Sequence, residues 1–311
     1  MIRCHPERGI NMKHVISCEQ YSRKSLEDLY KLTDQIVKNP QKFSQALAGK
    51  IVSIIFYEPS TRTRLSFESA VYRLGANCIS TENAKADSSA SKGETLEDTI
   101  RVIQGYSDAI VMRHSEADSS TRAAAIATVP ILNAGAGGGE HPTQGLLDVY
   151  TIRKHKGKLD GLKVVILGDL LYGRTVHSML KLISLYENIT VYALSKKAFA
   201  LPQEYIDLLK KRNVEFVLCK SFSDLPSDID VMYHTRIQAE RFEGDFGKEE
   251  FIINKKTLKQ FSKDTLLLHP LPRLNEISTD VDDDPRALYF KQAHNGIPIR
   301  MALLLQVLGK A

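Results

Sequence analysis

The segment Pro59-Ser60-Thr61-Arg62-Thr63-Arg64 places three hydroxyls and two guanidinium groups at the expected start of a helix. Ser60 can cap that helix, and the backbone N–H groups of its first turn have no partner within it. Those donors, the helix dipole, the hydroxyls and Arg62 describe a cradle for a phosphate group. The same residues also read as a capped helix with a solvated basic first turn. Other segments tilt the balance toward the anion. Arg113 and His114 end one apolar run, and Gly135–Gly139 followed by His141, Pro142, Thr143 and Gln144 ends another. Gly168–Arg174, then Thr235, Arg236 and Gln238, and then His269-Pro270-Leu271-Pro272-Arg273 follow three more. These ends supply Arg, His and Gln with almost no carboxylates, which suits anionic ligands. Each also has a bland reading, as a glycine turn, a capping histidine or a solvated arginine.

Other candidates are weaker. Ser88-Ser89-Ala90-Ser91-Lys92-Gly93 is either a mobile surface loop or a lid that brings Lys92 to an anion. Asp280, Asp282, Asp283 and Asp284 resemble a metal cluster but lack the alternation of a calcium loop, so a solvated acidic turn is expected. Gly168–Gly173 follows a strand but is not G-x-G-x-x-G, and an NAD-dependent enzyme is only a third option. Neither a metal-ligand set nor a Ser-His-Asp arrangement emerges, and no cofactor is expected.

The elements that must carry these residues are short Val-, Ile- and Leu-rich runs alternating with helical patterns. Strands are expected at Lys50–Tyr57, Asn77–Ser80, Asp108–Arg113, Val129–Asn133, Lys163–Asp169, Ile189–Leu194, Val214–Leu218, Asp230–His234 and Thr265–His269. Helices are expected at Thr61–Leu74, Gly93–Gln104, Thr143–Arg153 and Thr175–Ser184, with a last apolar pattern over Ile299–Leu308. This alternation predicts an α/β chain of two doubly wound domains with central parallel sheets. Ligands then bind at the carboxyl ends of strands. The polar, basic stretch Lys154–Gly161 precedes the second set of strands, so the helix before it is the expected bridge.

Composition agrees. The chain has 311 residues, enough for about two domains. It is 43% hydrophobic and 25% charged, which excludes wholesale disorder. Its net charge of +5 is too small and dispersed for a nucleic-acid surface. No apolar run is long enough for a membrane span, and Met1–Ile10 lacks the apolar core of a secretory signal. The four cysteines form no C-x-x-C pair. A reduced, cytoplasmic protein is the expectation.

Together these motifs resemble the aspartate/ornithine carbamoyltransferase family. The resemblance runs from about Ser44 to Leu308 through Phe56–Glu68, Lys92–Thr99, Val111–His114, Asn133–Asp148, Gly168–Ser178, His269–Asp282 and Gln292–Leu303 in order. It implies transfer of a carbamoyl group from carbamoyl phosphate to L-aspartate, giving N-carbamoyl-L-aspartate and phosphate in pyrimidine synthesis. It implies that Ser60, Thr61, Arg62, Thr63, Ser88, Lys92 and Arg113 serve the phosphate side. Arg62, Thr63, Arg113 and His141 polarise the carbamoyl group and Gln144 binds its NH2. Arg174 takes the aspartate α-carboxylate, with Arg236 and Gln238 on the side-chain carboxylate and Lys92 also on the aspartate side. Backbone carbonyls of Leu271 and Pro272 orient the attacking amine and the carbamoyl nitrogen. Ser88 and Lys92 come from a neighbouring subunit, so a homotrimer with shared sites follows, and regulatory or pathway-enzyme partners are conceivable.

The implied domains are 1–142 with a C-terminal helix at 296–311 packing back on them, for carbamoyl phosphate, and 143–295, for aspartate. The chemistry fits a cationic site. Attack by the free amine builds charge on the carbonyl oxygen, which preorganised Arg62, Arg113 and His141 offset. Lys92 and Arg62 offset the charge gained by the leaving phosphate, which is the expected proton acceptor. Binding both substrates across a domain cleft supplies proximity, and closure excludes water. Ornithine is the competing second substrate, but its family members typically carry His-Cys-Leu-Pro where this chain has His269-Pro270-Leu271-Pro272, and Arg236 suits a carboxylate. A non-catalytic paralogue on the same fold is the other alternative.

Overall fold

The computed structural model describes residues 13–84, 92–238 and 251–309. The chain divides into two compact units, Met1–Gly137 with Ile297–Ala311, and Gly138–Gly296. All nine expected strands are present: β1 Ile51–Phe56, β2 Asn77–Glu82, β3 Ala109–His114, β4 Ile131–Ala136, β5 Lys163–Gly168, β6 Thr190–Leu194, β7 Glu215–Cys219, β8 Val231–Thr235 and β9 Leu266–Leu268. The main helices are α1 Arg23–Lys38, α2 Thr61–Arg73, α3 Leu96–Ile103, α4 Ser119–Ile126, α5 Pro142–Lys156, α6 Arg174–Ile183, α7 Gln203–Lys211 and α8 Tyr289–Val307.

The first unit holds a parallel sheet in the order β2-β1-β3-β4. β1, Ile-Val-Ser-Ile-Ile-Phe, is buried at five of its six positions, as a strand covered on both faces must be. Strand order reverses beside it, so the carboxyl ends of β1 and β3 flank a switch point. The outer edge of β4 is covered by Val15, whose N–H donates to Ile131 O at 2.8 Å and whose carbonyl accepts from Asn133 N–H at 2.7 Å. The part of α8 from Ile297 onward completes this unit. Its Arg300 guanidinium lies 5.0 Å from the centre of the Phe67 ring of α2, and Leu303, Leu304 and Leu305 are fully buried.

The second unit holds a parallel sheet in the order β7-β6-β5-β8-β9. Here the reversal falls between β5 and β8. Gly168 ends β5 at φ +94, and a Cβ there would sit 2.0 Å from Thr235 O, so only glycine lets the two strand ends approach. That requirement accounts for this glycine without a dinucleotide.

Three helices depart from the expected set. Helices α1, α4 and α7 were not expected. α1 buries Leu26, Leu29, Tyr30 and Ile36 at helical spacing behind a Ser22 cap, a pattern the strand-centred reading does not use. α3 starts at Leu96 rather than at Gly93, because Thr95 is the residue that caps it, accepting from Asp98 N–H at 3.1 Å. The acidic turn is not simply solvated. Asp282 pairs with Arg273, Asp284 with Arg286 at 2.8 Å, and Asp280 accepts from Lys255 N–H.

Candidate active site

In the first unit, β-sheet register sets the cationic groups. Phe56 pairs with Arg113 across β1 and β3, and Tyr57 N–H donates to Arg113 O at 2.9 Å. Arg113 therefore lies beside the short connection that leads into α2. Ser60 holds the capping position in an extended conformation, yet its side chain makes no capping hydrogen bond. The expected cap is thus a cap by position only. Thr61 and Arg62 are exposed, whereas Thr63 is buried. Lys92 is exposed ahead of α3, and Ser88 lies outside the described residues.

The expected scarcity of carboxylates is corrected here. Glu58 Oε2 lies 3.4 Å from Arg113 Nε. Glu82, at the end of β2, accepts from Ser60 N–H at 3.1 Å and lies 3.3 Å from Arg64 Nε, while Glu68 takes Arg64 Nη1 at 2.7 Å. Arg64 is therefore committed to holding the loop, and Arg62 is the more exposed guanidinium at the helix start. An unbalanced cluster of cations is costly, and these acids offset it while fixing side-chain directions.

In the second unit, His141 opens α5 and is 4% exposed. Its ring is not spent on a capping hydrogen bond; Nδ1 is 3.4 Å from Thr143 Oγ1. Its N–H donates to Ser178 Oγ at 2.9 Å, and that hydroxyl donates to Arg174 O at 2.9 Å. Ser178 thus ties the backbone of His141 to that of Arg174, which starts α6 and is itself buried. Gln144 donates from Nε2 to Asp148 Oδ1 at 2.8 Å.

Asp169 organises the switch point of this sheet. It is fully buried after β5 and accepts from Tyr172 N–H at 2.9 Å and Gln238 N–H at 3.0 Å. Burial raises its carboxyl above the usual range, against the pull of those N–H groups. Gln238 Nε2 donates to Tyr172 O at 2.7 Å and Arg236 Nη1 to Ile237 O at 3.1 Å. The loops after β5 and β8 are thereby laced together with Arg174, Arg236 and Gln238 around them.

The remaining segment follows β9. Leu271 has φ +58, and the Leu271–Pro272 bond is cis. Leu271 N–H donates to His269 Nδ1 at 2.8 Å, and His269 Nε2 meets Glu276 Oε1 at 2.9 Å. Burial, opposed by the bond to Glu276, lowers the His269 imidazole to about 4. Of the predicted residues, the structure groups Ser60, Thr61, Arg62, Thr63 and Arg113 in the first unit. It groups His141, Gln144, Arg174, Arg236, Gln238, Leu271 and Pro272 in the second. Sequence reasoning missed Glu58, Glu82, Asp148, Asp169 and Ser178. Glu58, Asp148, Asp169 and Ser178 lie inside the quoted motifs, but each also has a partner distant in the chain.

Residues 13–154 match the family model for the aspartate/ornithine carbamoyltransferase carbamoyl-P binding domain, and residues 160–307 match that for the Asp/Orn binding domain. The chain belongs to the aspartate/ornithine carbamoyltransferase family. It is 45% identical to the chloroplastic aspartate carbamoyltransferase of Arabidopsis thaliana over 97% of this chain and 81% of that one. The catalytic subunit of M. jannaschii aspartate transcarbamoylase superposes with a TM-score of 0.88 at 44% identity, covering 96% of this chain and 98% of that one. Aspartate transcarbamoylase from Trypanosoma cruzi, solved with carbamoyl aspartate and phosphate, superposes at 0.88 with 38% identity and 95% coverage of both chains.

Proposed function

We propose that this chain transfers the carbamoyl group of carbamoyl phosphate to L-aspartate, yielding N-carbamoyl-L-aspartate and phosphate for pyrimidine synthesis. The observation that carries the reading is the near-full-length likeness to a structure that holds both products. In this reading residues 1–142 with the helix 296–311 serve carbamoyl phosphate, and residues 143–295 serve aspartate. The α2 start, with Ser60, Thr61, Arg62 and Thr63, takes the phosphate, joined by Arg113. Ser88 and Lys92 arrive from a neighbouring subunit.

Arg62, Thr63, Arg113 and His141 polarise the carbonyl oxygen as the amine attacks. His141 is buried and its backbone is anchored through Ser178, so its direction is set before substrate arrives. Preorganised donors of this kind are each worth roughly 10²–10³ in turnover. Arg174 takes the α-carboxylate, while Arg236 and Gln238 take the β-carboxylate. Asp148 accepts from the Gln144 NH2, which turns the Gln144 carbonyl oxygen away to accept from the carbamoyl NH2. The backbone carbonyls of Leu271 and Pro272 serve the attacking amine and the carbamoyl nitrogen.

A homotrimer belongs to this proposal. Its support is the outer edge of β2, which nothing covers among the described residues, with Ile79 on it and Leu65 and Tyr72 on α2 all exposed. Plant relatives are named chloroplastic, so the proposed cytoplasmic location is a separate point, checked by fractionation.

The decisive experiment is a colorimetric ureido assay with carbamoyl phosphate and either L-aspartate or L-ornithine. Product with aspartate alone is expected. Product with ornithine alone overturns the role of Arg236 and Gln238. No product with either, from folded protein, moves the weight to a non-catalytic member of the family.

A further inference from the structure

Gln144 and the Leu271-Pro272 segment lie far apart in the chain, yet one chain of hydrogen bonds, buried along its middle, joins them. Asp148, on α5 one turn beyond Gln144, is fully buried. Its Oδ1 accepts from Gln144 Nε2 at 2.8 Å and from Gln292 Nε2 at 2.6 Å, and its Oδ2 accepts from the Tyr233 hydroxyl at 2.7 Å. Amide NH2 groups only donate, so Asp148 fixes the orientation of both glutamines. Gln292, on α8, then has its Oε1 turned to the His269 backbone N–H, at 2.9 Å.

From there the ring of His269 continues the chain. A peptide N–H can only donate, so Nδ1, which accepts from Leu271 N–H, carries no proton. The proton is on Nε2 and is donated to Glu276, whose carboxylate also accepts from Leu274 N–H at 3.1 Å. His269 and Glu276 thus bracket the backbone from 271 to 274. They hold Leu271 at φ +58, a left-handed conformation that leucine rarely adopts. Burying this much polar surface is no cheaper than packing apolar side chains of similar volume. What the network adds is direction.

We propose that Asp148, Gln292 and the His269–Glu276 pair are positioning residues for carbamoyl transfer, presetting the Gln144 amide and the Leu271 carbonyl against the substrates' nitrogen atoms. The proposal rests on the transfer reading above and deepens it. None of the four touches substrate; they act through Gln144 and Leu271.

The test is a double-mutant cycle of Asp148→Asn and Gln144→Ala, with kcat and KM for each substrate and the melting temperature of each protein. Asp148→Asn is expected to lower kcat/KM for carbamoyl phosphate by roughly tenfold, and most of that loss should vanish in the Gln144→Ala background. Losses that multiply show a general structural defect and overturn the Gln144 half. Gln292→Met, which keeps volume and leaves the Asp148–Gln144 bond, is expected to raise KM for aspartate by about fivefold with the carbamoyl phosphate KM nearly unchanged. A lower melting temperature with unchanged kinetics, or equal shifts for both substrates, overturns the loop half. If Asp148→Asn does not fold, the same cycle run with Asp148→Ser decides the Gln144 half, and Gln292→Met decides the loop half. Failure of the wild-type chain to form product sinks the transfer reading itself; turnover with multiplicative losses sinks only the positioning of Gln144.

Discussion

At the residue scale, His269 shows how burial converts a titratable ring into a structural part. Desolvation lowers it to about 4, so the ring is neutral well below its ordinary value. Burial pushes Glu276 up, but the His269 ring and the Leu274 N–H outweigh it and hold the carboxyl below its usual range. The unfolded chain takes up the histidine proton near pH 6.5, whereas the folded chain resists until about pH 4. The unfolded state therefore binds more protons in that window, and stability falls as pH drops through it. Above pH 6.5 the contribution is complete; by pH 5 this one ring accounts for a loss of about 2 kcal/mol. His14, His114, His155 and His177 are also lowered by burial and act in the same direction. Urea unfolding at pH 7 and pH 5 isolates His269 by comparison with His269→Gln. The variant is expected to be less stable at pH 7 yet to lose less on acidification. Parallel losses would show that this ring is not a titrating group.

At the element scale, α5 and α6, which open with His141 and Arg174, depend on a glycine where they meet. Gly145 of α5 lies where a Cβ would stand 2.9 Å from the Ser178 carbonyl carbon and 2.9 Å from its Cβ. Gly145→Ala gains helix propensity of about 1 kcal/mol but must push α6 away. Overpacking of this kind costs about 1–3 kcal/mol. The variant is expected to melt at a lower temperature and to lose turnover, because the displaced Ser178 no longer holds His141. A melting temperature at or above that of the parent protein would show that the helix contact yields freely.

The strands were legible because buried parallel strands are continuous apolar runs between turn residues. β4 was placed too early: Ala134, Gly135 and Ala136 carry no strand signal, yet Ala136 pairs with His114 through a register shift. The arginines of the site were legible because each lies at or shortly beyond the carboxyl end of a strand. The acids that orient them were not. Gln292 meets Asp148 across 144 residues, and Glu82 reaches Ser60 from the far end of a neighbouring strand. Such pairs arise from sheet order and helix packing, which no local pattern encodes.

At the scale of the whole molecule, the sheet of the first unit has two unequal edges. Val15 closes the β4 edge of the first unit, whereas no residue of the β2 edge strand is fully buried and Ile79 on it is exposed. An open parallel edge with exposed apolar neighbours invites a partner. In the proposed trimer each chain meets a neighbour head to tail, so the ring closes and Lys92 of one chain can serve the site of the next. This makes complementation the sharpest test. Lys92→Ala and His141→Ala chains are each expected to be inactive. Reassembled at equal amounts, a site regains both groups when an intact His141 meets a neighbour's intact Lys92, which random mixing gives in about a quarter of sites. Activity approaching that fraction, with mixed trimers verified by native mass spectrometry, supports donation between subunits. Mixed trimers without activity would place Lys92 in its own chain's site and leave the β2 edge without a catalytic role.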